Sequence, residues 1–416
     1  MRILNLTLMS ISLILIACFI YRIEKKREIM RIATLSKKAG VIFSVAFMLL
    51  CFSTTIFAQV VENPAKPRAA NAGRVVVPQE LLAISDKGTS DYYFKRPGSL
   101  KPAPNGSLVL RDENQILLFD TNGRFLRNFF KKGQGPGEVL YFSVCLPTDR
   151  NIIVHSNNPN KLILFDYSGR YEREIPVGSL PGSLRPQAKI LLAHEEGYFL
   201  HVWDMPQFKG GDPVYMDIPQ VIASLDEATG GVKALATFLT KIYALAAPGG
   251  GGGFYGVTDL ISIPFKERLL ALTHTEEYLL KIYDPASNKV VREFKRAYER
   301  VKQEPLTEEQ KKGGAIIGSK RFGQPELKYQ NDVKNVLTRD GQIWAVTSAK
   351  DKKKGILIDV FDGEGVYRDC FWLKLPEPAF GSVLSPGQSA LDGDFLWIVE
   401  RSEDETFTIK KYRVTI

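Results

Sequence analysis

The amino-acid sequence predicts an all-β protein, a six-bladed β-propeller made of four-stranded antiparallel blades. Three observations support this: an apolar strand ending in aspartate recurs five times, a shorter apolar strand precedes each copy, and a third phrase recurs further upstream. Because the chain ends before the sixth blade is complete, we expect the N-terminal segment to supply the outer strand of that blade.

The clearest repeat is an apolar strand, an aspartate, a short polar turn and a second strand. Aspartate bonds its own backbone in such turns, and glycine or asparagine tolerates positive φ, so each copy is typical of a β-hairpin. The five copies are "ILLFDTNGRFLRNF" from Ile116, "LILFDYSGRYEREI" from Leu162, "VIASLDEATGGVKAL" from Val221, "LKIYDPASNKVVREF" from Leu280 and "LIDVFDGEGVYRDCF" from Leu357.

A shorter strand precedes each hairpin and brings the unit to four strands when the third phrase is included. The shorter strands are "GSLVLRD", "RNIIVHS", "EGYFLHVW", "ERLLALTH", "GQIWAVTS" and, before a truncated hairpin, "GDFLWIVE". The third phrase is "PGSLKP", "PGSLRP" and "FGSVLSP". The segment "RVVVPQELLAIS" from Arg74 has no partner in the first blade, so we expect it to close the ring.

Residues 1–58 have the composition of a targeting region. Basic residues precede an apolar run from Val41 to Phe52, and Ala58 offers a small residue for signal cleavage, with Met30 as the plausible true start. Upstream of it, the apolar stretch from Leu4 to Tyr21 is long enough to span a bilayer, so it is either a membrane anchor or, as we prefer, an extension of the reading frame ahead of the true start. We therefore expect an exported protein of the periplasm or cell envelope, with a flexible leader at 59–73 and the propeller at 74–416.

The charge distribution argues against nucleic acid as a partner. The full chain has 55 Lys and Arg against 46 Asp and Glu, a net charge of +9, but residues 1–58 hold eight basic and two acidic residues of that total. The remainder is close to balanced, without the basic footprint of a nucleic-acid binder. Cys145 and Cys370 could pair in an oxidising compartment, although two free thiols in buried strands are favoured. A monomer is expected.

The stretch "KKGQGPGEV", Lys131 to Val139, raises the question of a phosphate loop. Such a loop needs a lysine and a serine or threonine at the start of a helix, whereas Glu138 and the strand "VLYFSV" follow here. We therefore interpret Gly133, Gly135 and Gly137 as structural, allowing positive φ where the chain passes between blades.

The stretches "FDTNGRF", "KKGQGPGEV" and "RNIIVHSNNPNKLILFDYSGR" resemble the NHL-type six-bladed propellers, and more closely exported bacterial six-bladed propellers related in shape to the TolB propeller. The resemblance covers Leu108 to Val177, and Val366 departs from it where Arg124 and Arg170 stand in the first two blades. It implies a protein that binds partners or ligands. One branch of these propellers, the amidating lyases, uses zinc held by histidines near the axis.

The candidate site is the mouth of the central channel, where loops from every blade meet. We expect the ends of the shorter strands to line it, which nominates Arg111, Asp112, His155, His201, His274, Glu400 and Arg401. The three histidines could hold zinc, or the site calcium, but their registers differ by one residue and no carboxylate partner is evident. Isolated polar residues without a cofactor are the alternative. The Arg-Asp and Glu-Arg pairs could form a polar rim or ordinary solvated ion pairs.

The sequence thus favours a binding or scaffold module in the cell envelope, with a protein, peptide or glycan as ligand, and it gives no motif for an enzyme. The alternative is a metal-dependent lyase or hydrolase that uses the axial histidines.

Overall fold

The computed structural model describes residues 60–180, 186–195, 197–204, 212–246, 252–313, 315–317, 320–376 and 384–416. The predicted targeting region, with Met30 and both apolar stretches, lies outside the described residues, as does most of "PGSLRP". Residues Ala58–Ile416 form one contact unit. No helix in the described ranges is long and apolar enough to cross a bilayer.

Strands are the main secondary structure of the described chain. It opens with β1 (Val60–Asn63), β2 (Arg74–Val76) and β3 (Gln79–Ile84). Blade 1 is β4 (Pro97–Pro102), β5 (Leu108–Asp112), β6 (Gln115–Phe119) and β7 (Phe125–Asn128). Blade 2 is β8 (Tyr141–Pro147), β9 (Asn151–Asn158), β10 (Asn160–Asp166) and β11 (Tyr171–Pro176). Blade 3 is β12 (Pro186–His194), β13 (Gly197–Asp204), β14 (Val214–Leu225) and β15 (Val232–Ala246), with β16 (Gly252–Gly256) added outside.

Three further blades follow in the same antiparallel order. Blade 4 is β17 (Ile261–Phe265), β18 (Leu269–Thr273), β19 (Leu280–Asp284) and β20 (Lys289–Arg296). An insertion then forms α1 (Glu308–Lys312), β21 (Ala315–Ile317) and β22 (Lys320–Phe322). Blade 5 is β23 (Val333–Arg339), β24 (Gln342–Asp351), β25 (Gly355–Phe361) and β26 (Tyr367–Leu373). Blade 6 is β27 (Ser389–Asp392), β28 (Phe395–Arg401) and β29 (Phe407–Arg413).

The blades close into a ring. The first strands contact one another in the order β4, β8, β12, β17, β23, β27 and back to β4. Six apolar clusters of the described residues each lie between two consecutive blades, including one between blades 6 and 1. Successive side chains of a strand point to opposite faces of its blade, which produces this arrangement. In β5, Val109 packs towards blade 2, whereas Leu108 and Leu110 pack towards blade 6. The predicted six-bladed propeller is confirmed.

The innermost strands are the first strands of the blades. The sequence predicts instead that the second strands line the channel; these are β5, β9, β13, β18, β24 and β28. The second strands lie one position further out, because each is hydrogen-bonded to a first strand on its inner side. This shift decides which side chains can meet a ligand.

Ring closure by the N-terminal segment is confirmed. Strand β3 pairs antiparallel with β29, with Ile84 opposite Ile409, and completes blade 6. The Lys410 Nζ lies 3.1 Å from Glu80 and 2.8 Å from Glu400, which adds an ionic contact across the closing strands. Ile84 is 3% exposed, within the cluster between blades 6 and 1.

The chain before β3 differs from the leader expected at 59–73. Strand β1 pairs in parallel with β20, and β2 pairs in parallel with β26, so blades 4 and 5 each gain a fifth strand. The Asn63 side chain donates to the carbonyl of Gly365 at 2.8 Å and accepts from the Tyr367 N–H at 2.9 Å. Strand β1 has four residues and is held at the sheet edge mainly by backbone hydrogen bonds. Such a strand needs no alternation of apolar side chains, so no such pattern marks it in the sequence.

A buried polar cluster joins blades 4 and 5. Asp359 is fully buried and accepts hydrogen bonds from Tyr278 Oη at 2.7 Å, Tyr367 Oη at 2.6 Å and Arg296 Nε at 2.7 Å. The Arg296 guanidinium also lies 4.8 Å from the ring centroid of Tyr298. Burial and the adjacent Asp359 carboxylate raise the pKa of Tyr278 well above its usual value. Burial and Asp359 raise the pKa of Tyr367 in the same way. The hydroxyl groups of Tyr278 and Tyr367 therefore stay protonated and donate to Asp359.

The predicted turn chemistry is also present. Asp120 Oδ1 accepts from the backbone N–H groups of Asn122 and Arg124 at 2.9 Å, and Gly123 takes φ +78°. The equivalent aspartates of the other four hairpins accept from their own turns in the same way. In the insertion, Thr307 caps α1 through a capping box with Gln310.

Candidate ligand site in the axial channel

The six first strands surround a cavity of about 580 Å³ on the axis. All six blades contribute to its wall, through residues of β4, β8, β12, β17, β23 and β27 and the chain next to them. Small-molecule sites typically have volumes of roughly 300 to 1,000 Å³, so the cavity is large enough for a small ligand or the end of a larger one. Because each first strand is held by its own blade, the cavity is preformed.

Two lysines project charge into this cavity. Lys101 of β4 and Lys189 of β12 both line it, and both are half-buried. Burial, together with the nearby Lys189 charge, lowers the pKa of Lys101 to about 8. Burial also lowers the pKa of Lys189, and the Asp259 carboxylate partly opposes that change. Within the described ranges, no carboxylate lies within 4 Å of either ammonium group, and Lys189 Nζ lies 5.4 Å from the Trp203 ring centroid.

A chain of hydrogen bonds lies behind the wall of the axial cavity. Gln220 donates through Nε2 to Asp259 Oδ1 at 2.9 Å and to Thr240 Oγ1 at 2.7 Å, so its Oε1 is left to accept from His201 Nε2 at 2.5 Å. This geometry fixes the neutral tautomer of His201 with the proton on Nε2. Burial, aided by the charge of Lys189, lowers the pKa of His201 to about 3. His201 therefore supports Asp259 through Gln220 and does not reach the cavity wall itself.

The other predicted histidines are held elsewhere. His155 is fully buried, its Nε2 lies 3.0 Å from Asn160 Oδ1, and burial lowers its pKa to about 4. His274 Nδ1 lies 3.0 Å from the carbonyl oxygen of Leu239. Within the described ranges, no three His, Cys, Asp or Glu residues are grouped so that they could hold a metal ion. The three histidines thus lie in separate surroundings in blades 2, 3 and 4, because they belong to second strands and the loop after one.

The predicted charged rim is also dispersed. Asp112 is fully buried and accepts from the backbone N–H groups of Lys95 and Arg96, both at 2.8 Å. Arg111 lies 5.5 Å from the Phe142 ring centroid, and Arg401 pairs with Glu405 at 2.7 Å in its own exposed hairpin. Glu400 accepts from Tyr412 Oη at 2.6 Å beside the closing strand. These side chains organise individual blades and the ring closure.

His274 instead lines a second cavity, a groove of about 560 Å³ between the long hairpin of blade 3 and blade 4. The charges there are mostly paired: Lys241 with Glu276, and Arg300 Nε with Asp332 at 3.1 Å. The cations of the groove are therefore compensated by carboxylates, unlike Lys101 in the axial cavity, although His274 Nε2 has no hydrogen-bond partner among the described residues.

The loop "KKGQGPGEV" is a filled structural crossing. Gly135 N–H donates to Glu138 Oε2 at 3.0 Å, and Gly137 N–H donates to Glu174 Oε1 at 2.8 Å. The positive φ predicted for these glycines occurs at Gly137 alone, at +72°. At Gly133 a Cβ would displace the flexible carboxylate end of Glu138. Carboxylates already occupy the donors that a phosphate would use.

Among the described residues, neither free thiol is part of the axial cavity lining. Cys145 is buried and Cys370 is half-buried, and they are not joined in a disulfide. Burial raises the pKa of Cys145 to about 12, which makes this thiol unreactive at neutral pH.

Residues 88–216 match the profile of DUF5128, a family described as "6-bladed beta-propeller". This match covers blades 1 and 2 and part of blade 3, where the NHL-like motifs were found. A search of curated proteins gives no match.

Several solved structures are similar to this chain at low sequence identity. A DUF4221 family member from Bacteroides vulgatus is 14% identical, with 82% of this chain and 99% of that chain covered and a TM-score of 0.49. A protein from Bacteroides fragilis is 13% identical, with 86% and 100% covered and a TM-score of 0.45. A gluconolactonase from Xanthomonas campestris is 12% identical, with 82% and 98% covered and a TM-score of 0.39. At these sequence identities and TM-scores, none of the three structures indicates what this chain does.

Sequence reasoning missed Lys101 and Lys189, although a signal for both was present. Each is a single charged residue within an otherwise uncharged strand, in "PGSLKP" and "QAKILLA". A lone lysine in a first strand indicates a polar channel wall once the first strands are known to be innermost.

Proposed function

We propose that this chain is an exported binding module whose axial channel holds the ligand. The observation that carries the proposal is the preformed cavity of about 580 Å³, into which blades 1 and 3 bring lysines without an ion-pair partner in the described ranges. Charged groups that are desolvated in a concavity mark binding sites more often than ordinary surface. The ligand would be a small molecule, or the end of a peptide, protein segment or glycan.

A binding role is favoured over catalysis by the chemistry of the wall. The described lining residues include no histidine or cysteine that could act as a base or nucleophile beside Lys101 and Lys189. The metal-dependent alternative has no ligand set among the described histidines. Binding is also the role implied by the resemblance to NHL-like propellers, which we retain as part of the proposal.

Export is supported by the signal pattern in residues 1–58. Fractionation of cells that express the full chain, or a chain starting at Met30, tests this proposal. Recovery of either form in the cytoplasm would contradict it. Recovery of the full chain in the membrane, with the shorter form free in the periplasm, would identify the apolar stretch from Leu4 to Tyr21 as an anchor.

The binding proposal is tested by blocking the channel. Ile263 lines the cavity and is half-buried, so Ile263→Trp should fill part of it. The matched control is Leu126→Trp, at a 40% exposed position on the outer strand of blade 1. Calorimetric titration uses three probes: trialanine, an N-acetylglucosamine disaccharide and hexanoate.

We expect at least one probe to bind the wild type and the Leu126→Trp control, and to lose binding in Ile263→Trp with the fold unchanged by circular dichroism. Equal affinity of all three proteins for the bound probe would overturn the axial site. Failure of every probe to bind the folded wild type would also count against the proposal.

A further inference from the structure

We propose that the axial channel recognises an organic anion, with the anionic head between Lys101 and Lys189 and an aliphatic body against the apolar wall. This inference rests on the proposed function, that the channel is the ligand site. The chemical class it names is an aliphatic carboxylate.

The first step is the charge that the fold leaves uncompensated. Lys101 and Lys189 come from blades 1 and 3, on either side of blade 2, and line the same cavity. Their charges repel, and water is partly excluded from both, so bringing them together costs free energy. An anion bound between them would remove this repulsion and accept hydrogen bonds from both ammonium groups.

The second step concerns Asp259 and Asp392, the two carboxylates among the described lining residues, which do not neutralise Lys101. Asp259 accepts from Gln220 and opposes the lowering of the Lys189 pKa, whereas the charge that acts on the Lys101 pKa is the like charge of Lys189. Asp392 lies on blade 6, where the charged groups acting on it are Lys411 and Asp340. The cation at Lys101 is therefore the group that most needs a ligand.

The third step is the character of the remaining wall. Half-buried apolar residues line the cavity, among them Pro102, Leu146, Ile261, Ile263 and Leu391. The described lining contains no Phe, Tyr or Trp, so it offers no aromatic face on which a sugar ring could stack. An aliphatic chain can bury its surface against such a wall, and removing its CH₂ groups from water favours binding.

The test is calorimetric titration of the purified protein with hexanoate, 1-hexanol, glucuronate and inorganic phosphate. Hexanol keeps the aliphatic body without the charge, glucuronate keeps the charge on a sugar ring, and phosphate is the anion alone. The variants are Lys101→Met and Lys189→Met, with Lys353→Met at an exposed hairpin tip as the control.

We expect hexanoate to bind most tightly, and Lys101→Met to weaken it about 10- to 100-fold, the usual loss for a charge-assisted hydrogen bond. Lys353→Met should leave it unchanged, and hexanol should bind weakly to every variant. Thermal unfolding of each variant establishes that it is folded.

Two results would overturn the inference. Hexanoate could bind Lys101→Met as tightly as the wild type, or glucuronate or phosphate could bind as tightly as hexanoate. If trialanine or the disaccharide bound in a way that Ile263→Trp abolished but Lys101→Met did not affect, the axial site would stand and the anion assignment would fail.

Discussion

Replacing Lys101 by methionine should stabilise the folded protein at neutral pH. The lysine is half-buried in the channel near the like charge of Lys189, and it has no carboxylate partner among the described residues. Methionine keeps an unbranched apolar side chain of similar length but removes the charge. A residue that contributes to ligand binding at the expense of stability is common in binding sites.

The magnitude follows from the pKa change. Burial and Lys189 lower the pKa of Lys101 from 10.5 to about 8. A shift of that size corresponds to roughly 3 kcal/mol of disfavoured charge, at about 1.36 kcal/mol per pKa unit. Water in the channel reaches part of this half-buried side chain and screens the charge. We therefore expect Lys101→Met to raise the free energy of unfolding by about 1 to 2 kcal/mol.

The pH dependence gives the sign of the effect. Because the folded pKa lies below the unfolded value of 10.5, the unfolded chain holds more protons between pH 8 and pH 10.5. Wild-type stability should therefore rise through this window relative to the variant. The advantage of Lys101→Met is full below pH 8 and fades as pH approaches the unfolded pKa.

Urea unfolding at pH 7 and at pH 9.5, followed by tryptophan fluorescence, measures both effects. Lys353→Met serves as the control, since this lysine is exposed and its removal should change neither value. The reasoning is refuted if Lys101→Met is neutral or destabilising at pH 7, or if its effect does not shrink at pH 9.5.

Two further predictions concern the ring itself. Asp359→Asn should lower the free energy of unfolding by about 3 to 5 kcal/mol, because it leaves the buried Arg296 guanidinium without its counter-ion; thermal unfolding measures the loss. Ile84→Ala should cost about 2 to 5 kcal/mol and open the contact between blades 6 and 1, because Ile84 is 3% exposed on the closing strand; limited proteolysis near the N-terminal segment should show the opening.

Each of these changes has a matched control in the chain. Asp120→Asn removes a carboxylate paired with the exposed Arg124, and Leu81→Ala removes a 40% exposed side chain from the same strand as Ile84. Both controls should change stability by less than about 1 kcal/mol. A control as damaging as its partner would mean that burial does not determine the loss.

Predictions from local chemistry agreed with the structure. The turn aspartates were recognisable because the responsible contacts join residues only a few positions apart. The closing strand was identified because blade 6 lacked a strand and one apolar segment lacked a partner. The remaining N-terminal strands were less accessible to prediction. β1 lies in the expected leader, and β2 lies at the start of the segment expected to close the ring but pairs with blade 5; both are short edge strands held by backbone bonds that leave no pattern in the side chains.

The sequence by itself determined the all-β class, the unit of four strands, the number of blades and the way the ring closes, because repetition and turn chemistry are local properties. The tertiary structure alone decided which strand of each unit faces the axis. That one-strand difference places His155 and His201 within the blades and brings Lys101 and Lys189, 88 residues apart in the chain, into one cavity. The proximity of the two lysines depends on how the blades are arranged around the axis, and their spacing along the chain does not predict it.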